Sequence, residues 1–386
     1  MRRFKPALAA LMLAVLAWSA TVAFAEDIQG FTLTTGRSLA RGGLHAALAD
    51  DFTVIFSNPA GLVAAPRQLY VARLGLTASG PIFDMANAFL AGDDAQTAVT
   101  GLLADSGYRL YAGADLAGPL AFGYVGGGLG FGFFNSTHVS LNAASASSLR
   151  FRVAEDLILC GGYAFRVDLG GKNALDLGIG VKGFARGEIS DNLGAVEFVG
   201  LMSDPTALLG LPFDLTMGIG VDAGLRWNWD EVLSAGLVCR DAYSPALVTT
   251  YDDFMSFLSN PAAAKVGSRD AIIDPDLSFG IAWKPRLGEL ERLADSFLLA
   301  VDYRDILDLL EPVPRNPILN VAVGIETRVL EILSIRLGVS DALPAAGVGL
   351  DFGVVRMNLA AFGTELGLDP GQRPNYNLLI GFEFNY

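Results

Sequence analysis

Few side chains in this 386-residue sequence stand in a pattern that chemistry requires. The histidines are His45 and His138 and the cysteines Cys160 and Cys239. Neither set has metal-ligand spacing, so no metal and no cofactor is expected. His138-Val139-Ser140, with Asn142 beyond, is the one place where a histidine stands close enough to a serine to suggest an activated nucleophile. The surrounding motif of a hydrolase is missing, as are a P-loop and a G-x-S-x-G elbow, so an enzyme is not expected. The charged residues that remain of interest are Lys182, Arg186 and Arg226, which share strand-like segments with Asp176 and Asp222. They would either pair with those aspartates across an interior or hold an anionic ligand.

Composition says what must position them. Glycine supplies 45 of 386 residues, only 18% are charged and 52% are hydrophobic, and mean hydropathy is +0.42. Low charge with high apolar content excludes a disordered chain, and glycine without a G-X-Y period excludes collagen. A net charge of -14 excludes the basic face of a nucleic-acid binder. Arg2, Arg3 and Lys5 precede an apolar stretch from Ala7 to Trp18, and Ala23-Phe24-Ala25 completes a secretory signal peptide over residues 1–25. Its removal before Glu26 takes three of the 27 basic residues, leaving 24 against 41 acidic ones.

The rest of the chain has period two. Phe213 to Trp227 alternates apolar residues with polar ones or glycine, and Leu277, Phe279, Ile281 and Trp283 do the same. At the C-terminus Leu378, Ile380, Phe382, Phe384 and Tyr386 share one strand face, with Asn377, Gly381, Glu383 and Asn385 on the other. The uncharged stretch from Leu116 to Phe134 holds seven glycines and Pro119, a poor membrane helix, and reads as strand. Fourteen such segments follow residue 66, the second at 107–117 and the third at 119–135, with a turn at Gly118-Pro119. They predict an all-β fold, a 14-stranded antiparallel transmembrane β-barrel over 67–386. Its long external loops are expected at 79–106, 136–156, 188–212 and 243–276, with short turns on the other side. Cys160 and Cys239 then fall on non-adjacent strands, where a disulfide is not favoured.

Residues 26–66 precede the first strand and do not look like barrel wall. They read Gly30-Phe31, Gly36-Arg37-Ser38, Gly42-Gly43, Ala49-Asp50-Asp51 and Asn58-Pro59-Ala60-Gly61-Leu62. This succession resembles the N-terminal hatch of the FadL family of outer-membrane transporters for long-chain fatty acids and aromatic hydrocarbons. The most specific part is Ala49, Asp50 and Asp51 followed by Asn58, Pro59 and Ala60. Physically, Asn58-Pro59 also suits a plain turn, and Asp50 and Asp51 suit capping of nearby amides.

The resemblance implies a passive transporter of fatty acids or other hydrophobic small molecules, plugged by residues 26–66. It implies an outer-membrane location in contact with lipid, a monomer, both termini periplasmic and no nucleic-acid partner. Ligand would be captured by external loops, and the apolar Phe198, Leu201, Leu208, Leu209, Phe254, Phe257 and Leu258 either form that groove or cap the barrel. Release would follow hatch movement and a kink in the third strand, where Gly126, Gly127 and Gly128 mark a bend or merely relieve crowding. A barrel that shuttles secreted proteins, or a surface protein without transport, is the alternative.

Overall fold

In the computed structural model the described residues are 26–81, 101, 104–105, 110–145, 147–194, 197–198, 200–201, 204–288 and 294–386. The expected signal peptide and most of the expected loop 79–106 lie outside them. The strands are β1 Gln68–Ser79, β2 Leu110–Gly126, β3 Leu129–Ser145, β4 Ser148–Gly170, β5 Asn173–Leu193 and β6 Phe213–Trp229. β7 has two pieces, Leu233–Tyr243 and Pro245–Tyr251, and so has β8, Lys265–Ile272 and Asp276–Trp283. β9 Ser296–Tyr303, β10 Val321–Val329, β11 Leu333–Ser340, β12 Leu343–Asp351, β13 Val355–Glu365 and β14 Pro374–Asn385 follow. Each pairs antiparallel with the next, and β14 closes on β1 through Leu378↔Ala78 and Phe382↔Leu74, a closed 14-stranded barrel.

Polarity is inverted relative to a water-soluble sandwich. Leu76, Phe122, Leu159, Ile179, Ile219 and Leu337 stand exposed on the outer face, while Asp156, Asp176, Lys182, Arg226, Glu326 and Arg336 are buried inside. An apolar exterior around a polar interior is the surface of a barrel in lipid. The last strand obeys the expected alternation, with Ile380, Phe384 and Tyr386 outward and Asn377, Glu383 and Asn385 inward. Among the described residues no helix is long and apolar enough to cross a membrane.

Several boundaries differ from the sequence expectation. β2 runs through Gly118-Pro119, and the turn falls at Gly127-Gly128, where φ is 63° and 86°. Glycine takes this left-handed backbone without a Cβ penalty, and Pro119 sits instead at a bulge. The segment 136–156 is therefore the rest of β3 and the start of β4. β5 likewise continues to Leu193, and β7 and β8 occupy much of 243–276. In β3 and β4 the alternation in fact continues, with Val139, Leu141, Leu149, Phe151 and Val153 on the outer face, so the expected loop there followed from the turn placed at Gly118-Pro119. β4 has 23 residues and β5 has 21, against the roughly 9–11 that cross the hydrocarbon. β9 and β11 have only eight each. The barrel thus has a loop end, tall along β3–β8, and a turn end, where Tyr386 lies.

Candidate functional site

The lumen is filled by residues 28–66. Helix α1, Gly36–Ala40, starts at Thr35 in a capping box: Ser38 N donates to Thr35 Oγ1 at 3.1 Å and Thr35 N to Ser38 Oγ at 2.9 Å. It packs against β11–β14. Helix α2, Val54–Ser57, and the 3-10 turn Pro59–Val63 pack on the other side, against β2–β6.

The expected hatch motif holds these pieces to the wall. Asn58 Oδ1 accepts from Ala60 N at 3.0 Å, and its Nδ2 donates to Ala46 O at 2.8 Å and to Leu225 O on β6 at 3.1 Å. Pro59 opens the 3-10 turn, where its missing N–H costs nothing. Asp51 accepts from Thr53 N at 2.8 Å, the expected amide cap, but Asp50 makes ion pairs instead. Arg37 reaches Asp50 and Asp51 at 2.9 Å each and Glu326 on β10 at 2.6 Å, and Arg41 reaches Asp50 at 2.7 Å. Burial by itself would raise the Asp50 pKa; Arg37 and Arg41 outweigh it and hold the carboxyl well below the usual carboxylate range. His45, fully buried, binds Asp302 on β9 through Nδ1 and Arg41 O through Nε2 at 2.8 Å.

The glycine excess has its explanation here. A Cβ on Gly178, Gly224, Gly236 or Gly338 would overlap hatch backbone or the Asn58 side chain, and one on Gly347 would lie 2.5 Å from Ala40 Cβ. Backbone can approach backbone only where the wall carries no side chain.

The three cations singled out from sequence are all paired. Lys182 lies 3.3 Å from Asp222 and 2.7 Å from Asp241; Arg186 takes Asp156 through two bonds of 2.6 and 2.7 Å; Arg226 donates to Asp176 at 3.1 Å and to Ala47 O at 2.9 Å. Arg226 and Lys182 thus meet Asp176 and Asp222, whereas Arg186 meets Asp156 on β4, an aspartate the sequence reading did not name. Phe31 stacks on Phe184 at 4.3 Å with the Arg186 guanidinium 4.2 Å from its ring, and Gly30 precedes it. Above the hatch Gly30, Phe31, Leu39, Leu44, Phe56, Ile273 and Phe362 line a cavity of about 440 Å³ together with Lys182, Arg240, Asp241, Asp276 and Arg304.

The expected capture residues divide. Phe198 is buried against Phe151, with Leu201 and Leu208 packed beside it, on the same face of β4 as exposed Leu157 and Leu159 and so outside the lumen. Phe257 joins Phe213 and Tyr251 at 5.4 and 4.7 Å. Leu209, and Phe254 and Leu258 on helix α3 (Phe254–Ser259), stand exposed. Gly126, Gly127 and Gly128 are not inside the third strand; they turn beneath the hatch, where Gly128 N donates to Leu62 O at 3.1 Å. The irregularity facing the third strand is the bulge at Gly118-Pro119-Leu120, where Leu120 N donates to Asn135 Oδ1 at 2.9 Å and pairing of β1 with β2 lapses between Tyr70 and Gly75. Proline inside an alternating run was the signal for it.

Two further expectations change. Glu26 does not lie at the same end as Tyr386: it pairs with Ala271 in the loop-end piece of β8, because a chain that fills the lumen down to β1 at the turn end starts near the loop end. His138 contacts Ser136, not Ser140, at 3.1 Å; its Nδ1 lies 2.7 Å from Asp115 and its Nε2 3.5 Å from Asp156. With a carboxylate facing each nitrogen, the ring is arranged to donate twice rather than to accept a serine proton. Cys160 and Cys239 are free.

No family model and no curated protein sequence matches the chain. Among solved structures, the Pseudomonas putida toluene transporter TodX is similar over 93% of this chain and 99% of that one, at 11% identity and a TM-score of 0.44. The Ralstonia pickettii toluene transporter TbuX is similar over 93% and 99%, at 12% identity and a TM-score of 0.48. A Pseudomonas aeruginosa FadL homologue is similar over 94% and 99%, at 13% identity and a TM-score of 0.42. Over nearly its whole length, then, the chain is a barrel similar to toluene transporters and to a FadL homologue.

Proposed function

We propose that this chain is a passive outer-membrane transporter for apolar small molecules, long-chain fatty acids or hydrocarbons. The observation that carries the reading is the cavity above the hatch. Its size falls within the roughly 300–1,000 Å³ of small-molecule sites, and six of its lining residues are Phe31, Leu39, Leu44, Phe56, Ile273 and Phe362. A polar lumen that is plugged yet keeps a chamber with an apolar patch among charged residues suits a molecule that must leave lipid or water without meeting a continuous aqueous pore. Exposed Leu209, Phe254 and Leu258 at the loop end would capture the molecule. The hatch would then shift from its glycine seats, and the bulge at Gly118–Leu120 opposite Asn135 is the place for a sideways exit through the wall.

Uptake into liposomes tests this. The intact chain is expected to admit a labelled fatty acid or toluene while excluding a small polar dye, and a chain lacking residues 26–62 is expected to admit both. Uptake by the intact chain equal to that of empty liposomes would refute the proposal.

A further inference from the structure

The two pieces of β8 have unequal neighbours. Asp276–Trp283 pairs with β7 on one edge and β9 on the other. Lys265–Ile272 pairs with Pro245–Tyr251 of β7, but its other edge meets only Glu26–Asp27 among the described residues. β9 ends at Tyr303, opposite Phe279. Pro275, which has no N–H to give a ladder, sits in the break. The wall therefore has a notch between the loop-end piece of β8 and the end of β9. The notch adjoins the lumen cavity: Ile273, Asp274 and Asp276 from the break and Arg304 just past β9 line that cavity, as do Gly30 and Phe31. Exposed Leu309 and Leu310, on the 3-10 turn Ile306–Leu310 packed beside Asp276–Trp283, stand at its rim.

Glu26–Ile28 fill the notch. Glu26 pairs with Ala271 and Asp27 with Ile272 in parallel, and Ile28 N donates to Ile272 O at 3.0 Å. Arg269 seats this segment by binding the Glu26 carboxylate while it donates to Asp214 on β6 at 2.7 Å. Two residues further on, an ideal Cβ on Gly30 would touch Ile273 at 3.4 Å, so the chain lies flat on the residue it covers. From Phe31 to Leu62 nearly all of the hatch is buried or half-buried, Thr32 excepted, whereas Glu26 and Asp27 are exposed. A two-residue strand held by an exposed ion pair is the part of such a plug that opens most readily.

We propose that Glu26–Ile28 is a detachable strand that closes a side window of the lumen cavity between β8 and β9, with Arg269 as the positioning residue that seats it. The inference borrows from the transporter reading only the nature of what passes, an apolar molecule arriving over Leu309 and Leu310. The window is separate from the bulge facing the third strand and lies nearer the loop end.

The test has two arms in a background of Cys160→Ala and Cys239→Ala, with heat-modifiable gel mobility confirming the barrel. In the first, Ile273→Cys reports whether its cover is on. Removal of residues 26–28 is expected to raise its maleimide labelling more than tenfold, and Arg269→Ala to raise it two- to fivefold, the share of one exposed charged contact. Unchanged labelling in both variants overturns the proposal. In the second, Asp27→Cys with Ile272→Cys locks the strand down. Exchange of the fluorescent apolar probe N-phenylnaphthylamine is expected to slow about tenfold on oxidation and to recover with reductant; equal exchange in both states overturns the window. A probe that never binds the unlocked chain would count against the transporter reading, and the labelling arm would still decide the strand.

Discussion

Gly324 on β10 offers the sharpest test of how the hatch is seated. A methyl group there would lie 2.5 Å from Arg41 O and 2.7 Å from His45 Nε2, both belonging to the hatch. Ordinary contact begins near 3.4 Å, so the Gly324→Ala hatch must retreat by roughly 1 Å. Overpacking of this kind costs about 1–3 kcal/mol. The retreat also strains the 2.8 Å contact of His45 with Arg41 O, worth about 1 kcal/mol net. Together these favour hatch opening by about 2–4 kcal/mol, or roughly 30- to 1,000-fold in the opening equilibrium. Hydrogen exchange followed by mass spectrometry reads that equilibrium directly. Peptides spanning 35–48 contain Arg41 N and Gly43 N, which donate to Ser38 O at 3.0 and 2.7 Å, and these amides should exchange faster by that factor. Gly183→Ala on β5 is the control, because no atom lies within 4 Å of its would-be Cβ. The same exchange in Gly324→Ala, Gly183→Ala and the unaltered chain would refute the idea that glycine seats hold the hatch.

Four more outcomes follow from the same contacts. Arg37→Ala leaves Asp50, Asp51 and Glu326 short of their shared cation; breaking a buried pair costs about 3–5 kcal/mol, so protection of the whole hatch should collapse in the same exchange measurement while the barrel keeps its heat-modifiable mobility. Replacing exposed Phe254 and Leu258 by serine should slow liposome uptake about two- to tenfold through weaker capture, with hatch exchange unchanged. Lys182→Gln should change uptake of a fatty acid and of toluene by the same factor, because Lys182 is already committed to Asp222 and Asp241; a selective loss of the acid would show that Lys182 holds the ligand. Burial first, and then the Asp274 and Glu311 carboxylates, raise the Asp27 pKa, so the seated strand holds that proton more tightly than a released one and loses stability as pH rises through the raised value. Asp27→Asn, fixed in the neutral state, should therefore slow Ile273→Cys labelling at pH 7, and faster labelling would reverse the sign of the argument.

Much of the architecture was readable because it is local. Alternation along Phe213–Trp227 and Leu378–Tyr386 depends only on neighbouring residues, and so do the count of fourteen strands and the inverted polarity of the wall. The misplaced turn at Gly118-Pro119 left the count intact, since the true turn at Gly127-Gly128 separates the same two strands. Strand ends were misplaced in β3 and β4, where Val139, Leu141, Leu149, Phe151 and Val153 keep the alternation, because the turn placed at Gly118-Pro119 forced a loop there. Proline was read as an end at position 119, although a bulge accommodates it just as well.

By itself the sequence determined a lipid-facing barrel of fourteen strands with a polar interior and a separate N-terminal segment. Only the tertiary structure decided that Arg37 meets Glu326 across 289 positions of chain, that Gly324 and Gly347 are seats for the hatch, and that Glu26 completes the edge of β8. Those meetings depend on the relative register of strands around the whole ring and on how far each rises. Each register is set by pairings that no single stretch of sequence contains.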